Sequence, residues 1–245
     1  MDEIKYRNWR DVTGDAVRNA IMGCFIDHAI GGWQENTITR HVLQALGSIG
    51  AIHWTGQPFH CAWKAFKASG HFETANGDIA MRVTLQTLTG RHVTGTKYFE
   101  AKKLTLKSSR YDALDIAQLE RMQLISGHEV LLYTLGRSAD GVKTEALCLP
   151  TPVAVMLHTN HANALHSAAH AFIDVFSQAL LGRGLNFDSR ETTAFDKQLA
   201  SMEASFVLDA NVAPLEVELE PMLAPSGYRE LDDREPDPSD DLMPY

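Results

Sequence analysis

Two short segments, NGDIAMRV at 76–83 and KYFEAKKL at 97–104, decide how we interpret this chain. Each reads as an apolar β-strand that is interrupted by charge. Asp78 stands at the head of the first run, and Glu100 and Lys102 lie two positions apart in the second. Residues two apart on a strand point to the same face, so Glu100 and Lys102 are expected to share a polar face. If the two strands are neighbours, Asp78 joins them at one end of a sheet.

The charges of such a cluster limit its chemistry. Two carboxylates about 4 Å apart repel by roughly 4 kcal/mol at an effective dielectric constant of about 20. They stay together when they are protonated, paired with a cation or bound to a metal ion. Hard oxygen ligands with room for water suit Mg²⁺ or Mn²⁺. A neighbouring lysine can orient or deprotonate a water molecule and offset the charge that builds on a phosphate.

The surrounding periodicity predicts an α/β fold, a central mixed sheet of about four strands flanked by helices, with extra C-terminal helices. Strands are predicted at 71–75, 77–88, 95–106 and 128–135. Helices are predicted at 17–30, from Glu35 or Asn36 to 47, and at 61–68, 111–125, 151–182 and 191–207.

Composition divides the chain further. The predicted units are an N-terminal helical segment (1–32), a core with appended helices (33–186), a C-terminal helix (187–210) and an acidic tail (211–245) that we expect to be disordered. The net charge is −9, yet residues 64–110 hold nine basic and three acidic residues, whereas 187–245 hold four basic and fifteen acidic ones. This asymmetry predicts one surface for a polyanion and a tail that repels the polyanion or takes its place.

The pattern Gly77-Asp78, then Glu100-Ala101-Lys102, with a helix before it and a helix and a strand after it, resembles the PD-(D/E)XK nuclease superfamily, which has the restriction-endonuclease-like fold. The resemblance covers about residues 30–135. It implies metal-dependent hydrolysis of DNA, with Asp78, Glu100 and the Ala101 carbonyl as ligands of Mg²⁺ or Mn²⁺ and Lys102 as the catalytic lysine. Gly77 replaces the proline that usually precedes the aspartate.

The same resemblance suggests Glu35 and Glu73 as additional metal ligands and Gln118 as a supporting residue. Positively charged residues of the basic segment are predicted to bind nucleic acid: Lys64, Lys67, Arg82, Lys97, Lys103, Lys107 and Arg110. The implied role is a prokaryotic defence, restriction or repair component. The sequence has no nucleotide-binding P-loop, so an ATPase or target-recognition subunit is an expected partner.

Each site residue also has an ordinary interpretation. Asp78 follows Asn-Gly and suits a turn, Glu100 and Lys102 suit an exposed ion pair, and Glu35 suits the start of a helix. Gln118 suits a plain surface position. The alternative function is a catalytically silent nucleic-acid-binding or scaffold subunit, controlled by a partner or by its acidic tail.

Other features set the expected context. Four histidines at 158–170 lack the HExxH pattern, so zinc binding is the less favoured interpretation of them. No apolar run suggests a membrane span, and the polar N-terminus does not resemble a secretory signal. Three scattered cysteines indicate reduced thiols and a cytoplasmic protein. A homodimer is left open.

Overall fold

The computed structural model describes residues 3–69, 77–124, 127–138, 141–201 and 203–231. Within these residues the protein is α/β, with seven α-helices, one 3-10 turn (Asp27–Ile30) and ten strands joined in one mixed sheet. None of the described helices is long and apolar enough to cross a membrane.

The helices are α1 (Tyr6–Ile26), α2 (Glu35–Ile49), α3 (Ile116–Met122), α4 (Thr151–Leu157), α5 (Ala162–His166), α6 (Phe172–Leu180) and α7 (Ser189–Ala200). The strands are β1 (Glu3–Ile4), β2 (Ala51–Trp54), β3 (Phe59–Ala68), β4 (Ile79–Gln86), β5 (His92–Lys103), β6 (His128–Ser138), β7 (Gly141–Pro150), β8 (His170–Ala171), β9 (Phe206–Pro214) and β10 (Tyr228–Glu230). They lie in the order β1-β2-β3-β9-β4-β5-β6-β7-β8, and β10 pairs with β3.

Side chains from both faces of the sheet are buried. One face packs with α1, α2 and α6 into the largest apolar cluster. The other face packs against α3, α4 and α5 at one side of the sheet and against α7 at the other. The helices therefore form two layers with the sheet between them.

The predicted order of two strands, a crossover helix and a further strand is confirmed as β4, β5, α3 and β6. The first two strands are antiparallel and β5 runs parallel to β6. A parallel pair needs a crossover connection, which here contains α3. The predicted strand at 71–75 lies outside the described residues.

The helix predicted at 61–68 is wrong, because these residues form most of β3. Cys61, Trp63 and Ala65 alternate toward the largest apolar cluster, and Phe66 and Ala68 face the cluster beneath α7. A short run that is apolar on both faces does not distinguish a strand from a helix by its period.

The predicted sheet of about four strands is also wrong, and the main reason is β9. The helix predicted at 191–207 ends at Ala200, and the chain then enters the middle of the sheet. There β9 pairs antiparallel with β3 and parallel with β4. β9 is buried on both faces although Asp209 and Asn211 interrupt its apolar residues, so its sequence does not show the continuous apolar run that is typical of a central strand. The sheet therefore continues beyond residue 186, where the predicted core ended.

Two further predictions about the C-terminal half need correction. The single helix predicted at 151–182 is divided into α4, α5 and α6, with β8 between the last two. The predicted tail at 211–245 is partly ordered, because its first residues complete β9 and β10 pairs with β3 through Tyr228, Arg229 and Glu230. Residues 232–245 lie outside the described residues.

We expect Leu208→Ala to lower the free energy of unfolding by about 3 kcal/mol, because the side chain is fully buried in β9. Leu223→Ala is the matched control, since Leu223 is 79% exposed and its loss should cost under about 0.5 kcal/mol. Urea denaturation of the full chain measures both. Equal stability of the two variants would contradict the central position of β9.

Candidate functional site

The β4–β5 pairing brings Asp78 and Glu100 together. Ile79 is the register partner of Phe99, so one further step along these antiparallel strands places Asp78 opposite Glu100. The Asp78 carboxylate Oδ2 accepts a hydrogen bond of 2.8 Å from the amide of Ala101. Asp78 and Glu100 are both buried, at 9% and 4% exposure. The two carboxylates predicted from the sequence are therefore neighbours at one end of β4 and β5.

Lys102 closes the cluster. Its Nζ donates to Glu100 Oε1 at 2.8 Å and to the Ala101 carbonyl at 2.8 Å. It also donates to Glu35 Oε1 at 3.3 Å. One ammonium group thus contacts a carboxylate on its own strand, a main-chain oxygen and a carboxylate from α2. We call Glu35, Asp78, Glu100 and Lys102, with the Ala101 carbonyl, the carboxylate–lysine cluster.

Contacts that the sequence did not predict hold α2 beside β5. The indole Nε1 of Trp33, just before α2, donates to the Leu104 carbonyl at 2.8 Å. The Tyr133 hydroxyl on β6 donates to Thr39 Oγ1 in α2 at 2.9 Å. Both bonds are buried, where a lost partner would leave an unsatisfied polar group. They fix the first turn of α2, and with it Glu35, next to Lys102.

The backbone of Asp78 is held from both sides. Its carbonyl accepts a hydrogen bond of 3.0 Å from the amide of Phe206, at the start of β9. Gly77 has φ of +123°, and a Cβ atom there would lie 2.9 Å from the Phe99 carbonyl oxygen. Proline, whose φ is fixed near −65°, cannot take this conformation. Glycine at 77 is thus required by the close approach of β5.

Burial makes Asp78 and Glu35 hard to ionise. It raises the pKa of Asp78 to about 7, and the nearby charges of Glu100 and Glu35 add to this shift, against the opposing effects of Lys102 and the Ala101 amide. Burial likewise raises the pKa of Glu35, although Lys102 acts in the opposite direction. A divalent cation beside Lys102 would offset the repulsion between these buried carboxylates, because it adds positive charge to the cluster.

Lys102 carries a firmly held proton. Burial by itself would lower its pKa, but attraction to Glu100, Glu35 and Asp78 and the hydrogen bond to Glu100 outweigh burial and raise the pKa above its ordinary value. As positioned here, Lys102 can donate hydrogen bonds and stabilise negative charge. Of the two roles predicted for this lysine, orienting a water molecule agrees with the raised pKa better than deprotonating it.

The described residues contain no group of three or more His, Cys, Asp or Glu side chains ready to hold a metal ion. The oxygens that a cation would need are nevertheless present. Glu100 Oε2 is buried and has no hydrogen-bond partner among the described residues, and Lys102 is the side chain that donates to Glu100 Oε1 and to the Ala101 carbonyl. Mg²⁺ commonly uses one or two protein carboxylates plus water and phosphate oxygens. The donor set of Asp78, Glu100 and the Ala101 carbonyl therefore fits Mg²⁺ or Mn²⁺.

Glu73 and Gln118 are the remaining residues of the predicted site. Glu73 lies outside the described residues. Gln118 is half-buried in α3, and its amide donates to Asp115 Oδ1 as part of the helix cap. Among the described residues, no hydrogen bond connects the Gln118 side chain to the cluster. Its supporting role stays a prediction.

Four of the seven residues predicted to bind nucleic acid are engaged in ion pairs. Lys64 pairs with Glu230, Arg82 with Asp209 and Asp196, Lys97 with Glu129, and Lys103 with Asp112. Lys97 is only 3% exposed and also donates to the Gly184 carbonyl, and both observations argue against its predicted contact with nucleic acid.

The other three predicted cations are Lys67, Lys107 and Arg110. Lys67 lies on β3, opposite Arg229 of β10. Lys107 and Arg110 are exposed in the turn that follows β5, and neither forms an ion pair within the described residues. Ion pairing therefore leaves fewer exposed cations for a polyanion than the charge count suggested, and Lys107 and Arg110 lie in the turn just after the strand that carries Glu100 and Lys102.

The histidines at 158–170 do not converge. His166 Nε2 lies 2.6 Å from the Tyr111 hydroxyl, and burial lowers the pKa of this histidine. His158 and His161 are exposed in the loop between α4 and α5, and His170 lies on β8. None of the described residues supplies the three-ligand group that a catalytic zinc site needs.

The chain was also compared with known proteins. No protein-family model, curated protein or solved structure matches it.

Proposed function

We propose that this protein is a divalent-metal-dependent nuclease that hydrolyses phosphodiester bonds in DNA. The proposal rests on one observation: Asp78 and Glu100 are buried side by side, with Lys102 held against Glu100 and the Ala101 carbonyl. A buried pair of acids beside a lysine is costly to maintain unless it serves a purpose. The resemblance to the PD-(D/E)XK nuclease superfamily supports the same conclusion.

Asp78, Glu100 and the Ala101 carbonyl would hold Mg²⁺ or Mn²⁺. When bound, the cation supplies positive charge that stabilises the phosphate as negative charge builds on it. Lys102 holds its proton and donates hydrogen bonds, so in this site it orients the attacking water and neutralises charge on the phosphate. Glu35, fixed by α2, limits the movement of Lys102 through the 3.3 Å contact.

The alternative is a catalytically silent subunit that binds nucleic acid or serves as a scaffold. One observation favours it: Lys102 already satisfies the Ala101 carbonyl and Glu100 Oε1, as a structural ion pair would. In that case the cluster would stabilise the junction of β4, β5 and α2 and bind no metal. The alternative predicts that Mn²⁺ leaves the thermal stability of the protein unchanged.

The cellular role is proposed by analogy only: a prokaryotic defence, restriction or repair component, with an ATPase or target-recognition subunit as partner. The three cysteines are free and buried, which is consistent with a reducing compartment and supports a cytoplasmic location.

Incubation with supercoiled plasmid and with linear duplex DNA tests the activity directly. We expect cleavage in Mg²⁺ or Mn²⁺ and none in EDTA, because the buried carboxylates cannot neutralise the phosphate without a cation. Gel electrophoresis separates nicked, linear and degraded products. Cleavage that continues in EDTA would exclude the proposed metal dependence, and no cleavage with any added cation would favour the silent subunit.

A further inference from the structure

The turn that follows β5 docks on the loop between α4 and α5. The Ser109 carbonyl accepts a hydrogen bond of 3.0 Å from the amide of Ala162, and the Asn160 carbonyl accepts one of 2.9 Å from the amide of Tyr111. Asn160 Nδ2 returns a bond of 3.0 Å to the Tyr111 carbonyl. These bonds join two exposed loops that are far apart in the sequence into one surface.

This docking places Arg110 beside His161, and Lys107 and His158 lie three residues before them in the same two loops. Arg110 and His161 are antiparallel bridge partners, so their side chains project from the same side of the pairing. Lys107, Arg110, His158 and His161 are all exposed. We call these four residues the phosphate rim. Lys107 and Arg110 form no ion pair within the described residues, in contrast to Lys64, Arg82, Lys97 and Lys103.

His158 provides an independent sign that this surface is not only structural. Its φ and ψ are 46° and 44°, and it is the only described residue other than glycine with a positive φ. A side chain in the left-handed region is uncommon, and such outliers gather at binding sites, where function retains them. Glycine would relieve the strain at the end of α4, yet the chain places an exposed imidazole there.

The rim lies close to the carboxylate–lysine cluster. The Asp112 amide donates to the Lys103 carbonyl at 3.0 Å, so the segment that carries Lys107 and Arg110 folds back onto the end of β5. Lys107 is five residues past Lys102, a reach of at most about 17 Å. At about 3.4 Å per nucleotide along a duplex strand, this corresponds to roughly five nucleotides.

We propose that the phosphate rim binds the DNA backbone on one side of the phosphate that is cleaved. The proposal rests on the nuclease function and extends it, since it identifies the surface that positions the substrate. Lys107 and Arg110 bind phosphates by charge, Arg110 with the geometry for a bidentate contact. His158 and His161 donate ring N–H groups to neighbouring phosphate oxygens. Contacts of this kind position the duplex without reading its sequence.

The test measures binding of a short fluorescent duplex to the full chain by anisotropy in EDTA, over a range of salt concentrations. Lys107→Ala combined with Arg110→Ala is expected to weaken binding on the order of tenfold and to reduce the salt slope by about 2, since each phosphate contact contributes about 0.9. His158→Gly is expected to weaken binding by about two- to fivefold while the melting temperature stays equal or rises. Lys143→Ala, an exposed change on β7, is the matched control.

The outcomes separate this proposal from the nuclease proposal. Unchanged affinity and salt slope in the double variant would overturn the rim, even if the unsubstituted protein cleaves DNA. Absence of duplex binding by the unsubstituted protein would overturn it as well. Weakened binding in the double variant, together with no cleavage by the unsubstituted protein in Mg²⁺ or Mn²⁺, would support the phosphate rim and contradict the proposed nuclease activity.

Discussion

Replacing Lys102 by methionine is expected to reduce metal-dependent DNA cleavage by about a thousandfold, while the protein binds Mn²⁺ at least as tightly as before. Cleavage should fall because the variant lacks the ammonium group that is proposed to neutralise charge on the phosphate. Metal binding persists because Lys102 of the unsubstituted protein donates hydrogen bonds to Glu100 Oε1 and the Ala101 carbonyl, and its replacement frees both oxygens. Plasmid cleavage and calorimetric titration with Mn²⁺ measure the two effects.

The same substitution should change stability in a way that depends on metal. Without metal, the variant leaves Glu100 and its neighbours buried without a cation, which we expect to cost about 3 kcal/mol of unfolding free energy. Added Mn²⁺ should restore much of this loss by binding the folded state. Lys143→Met, on the exposed side of β7, is the matched control and should change neither property. Wild-type cleavage by Lys102→Met would contradict the proposed role.

The second large effect is expected from Asp78→Asn, which should stabilise the metal-free protein by roughly 2 kcal/mol at pH 8 and abolish stabilisation by Mn²⁺. The Asp78 pKa of about 7 lies above its unfolded value of 3.8. Between these values the folded state keeps a proton that the unfolded chain has released. The contribution of Asp78 to the free energy of unfolding is therefore present below pH 3.8 and is lost as the pH rises from there to about 7.

The amide side chain of asparagine avoids this loss, because it carries no charge and its oxygen can still accept from the Ala101 amide. The stabilising effect should consequently disappear near pH 4, where Asp78 of the unsubstituted protein is protonated. Thermal denaturation at the two pH values, with and without Mn²⁺, gives all four comparisons. Asp196→Asn, which alters a carboxylate that is 58% exposed, is the control. If Asp78→Asn destabilised the protein equally at both pH values, ionisation of Asp78 would not be unfavourable in the folded state of the unsubstituted protein.

The local parts of the candidate site were predictable because a strand has a short period. Alternation alone places Glu100 and Lys102 on one face, and the Asn76-Gly77 pair in the sequence predicts a turn ahead of the strand that Asp78 opens. Charge counting was less reliable. It treated Lys97 and Lys107 alike, although Lys97 is buried in a pair with Glu129 and Lys107 is exposed. Only the fold decides which cations have partners.

Long-range pairing decided the rest. The sequence by itself determined the two apolar runs, their charged interruptions and the order β4, β5, α3, β6, because each depends on residues that are close in the chain. Tertiary structure decided that β9 enters between β3 and β4 and binds the backbone of Asp78 through Phe206. It also decided that α2 brings Glu35 to Lys102. Such contacts join segments separated by tens to more than a hundred residues, and no local period records them.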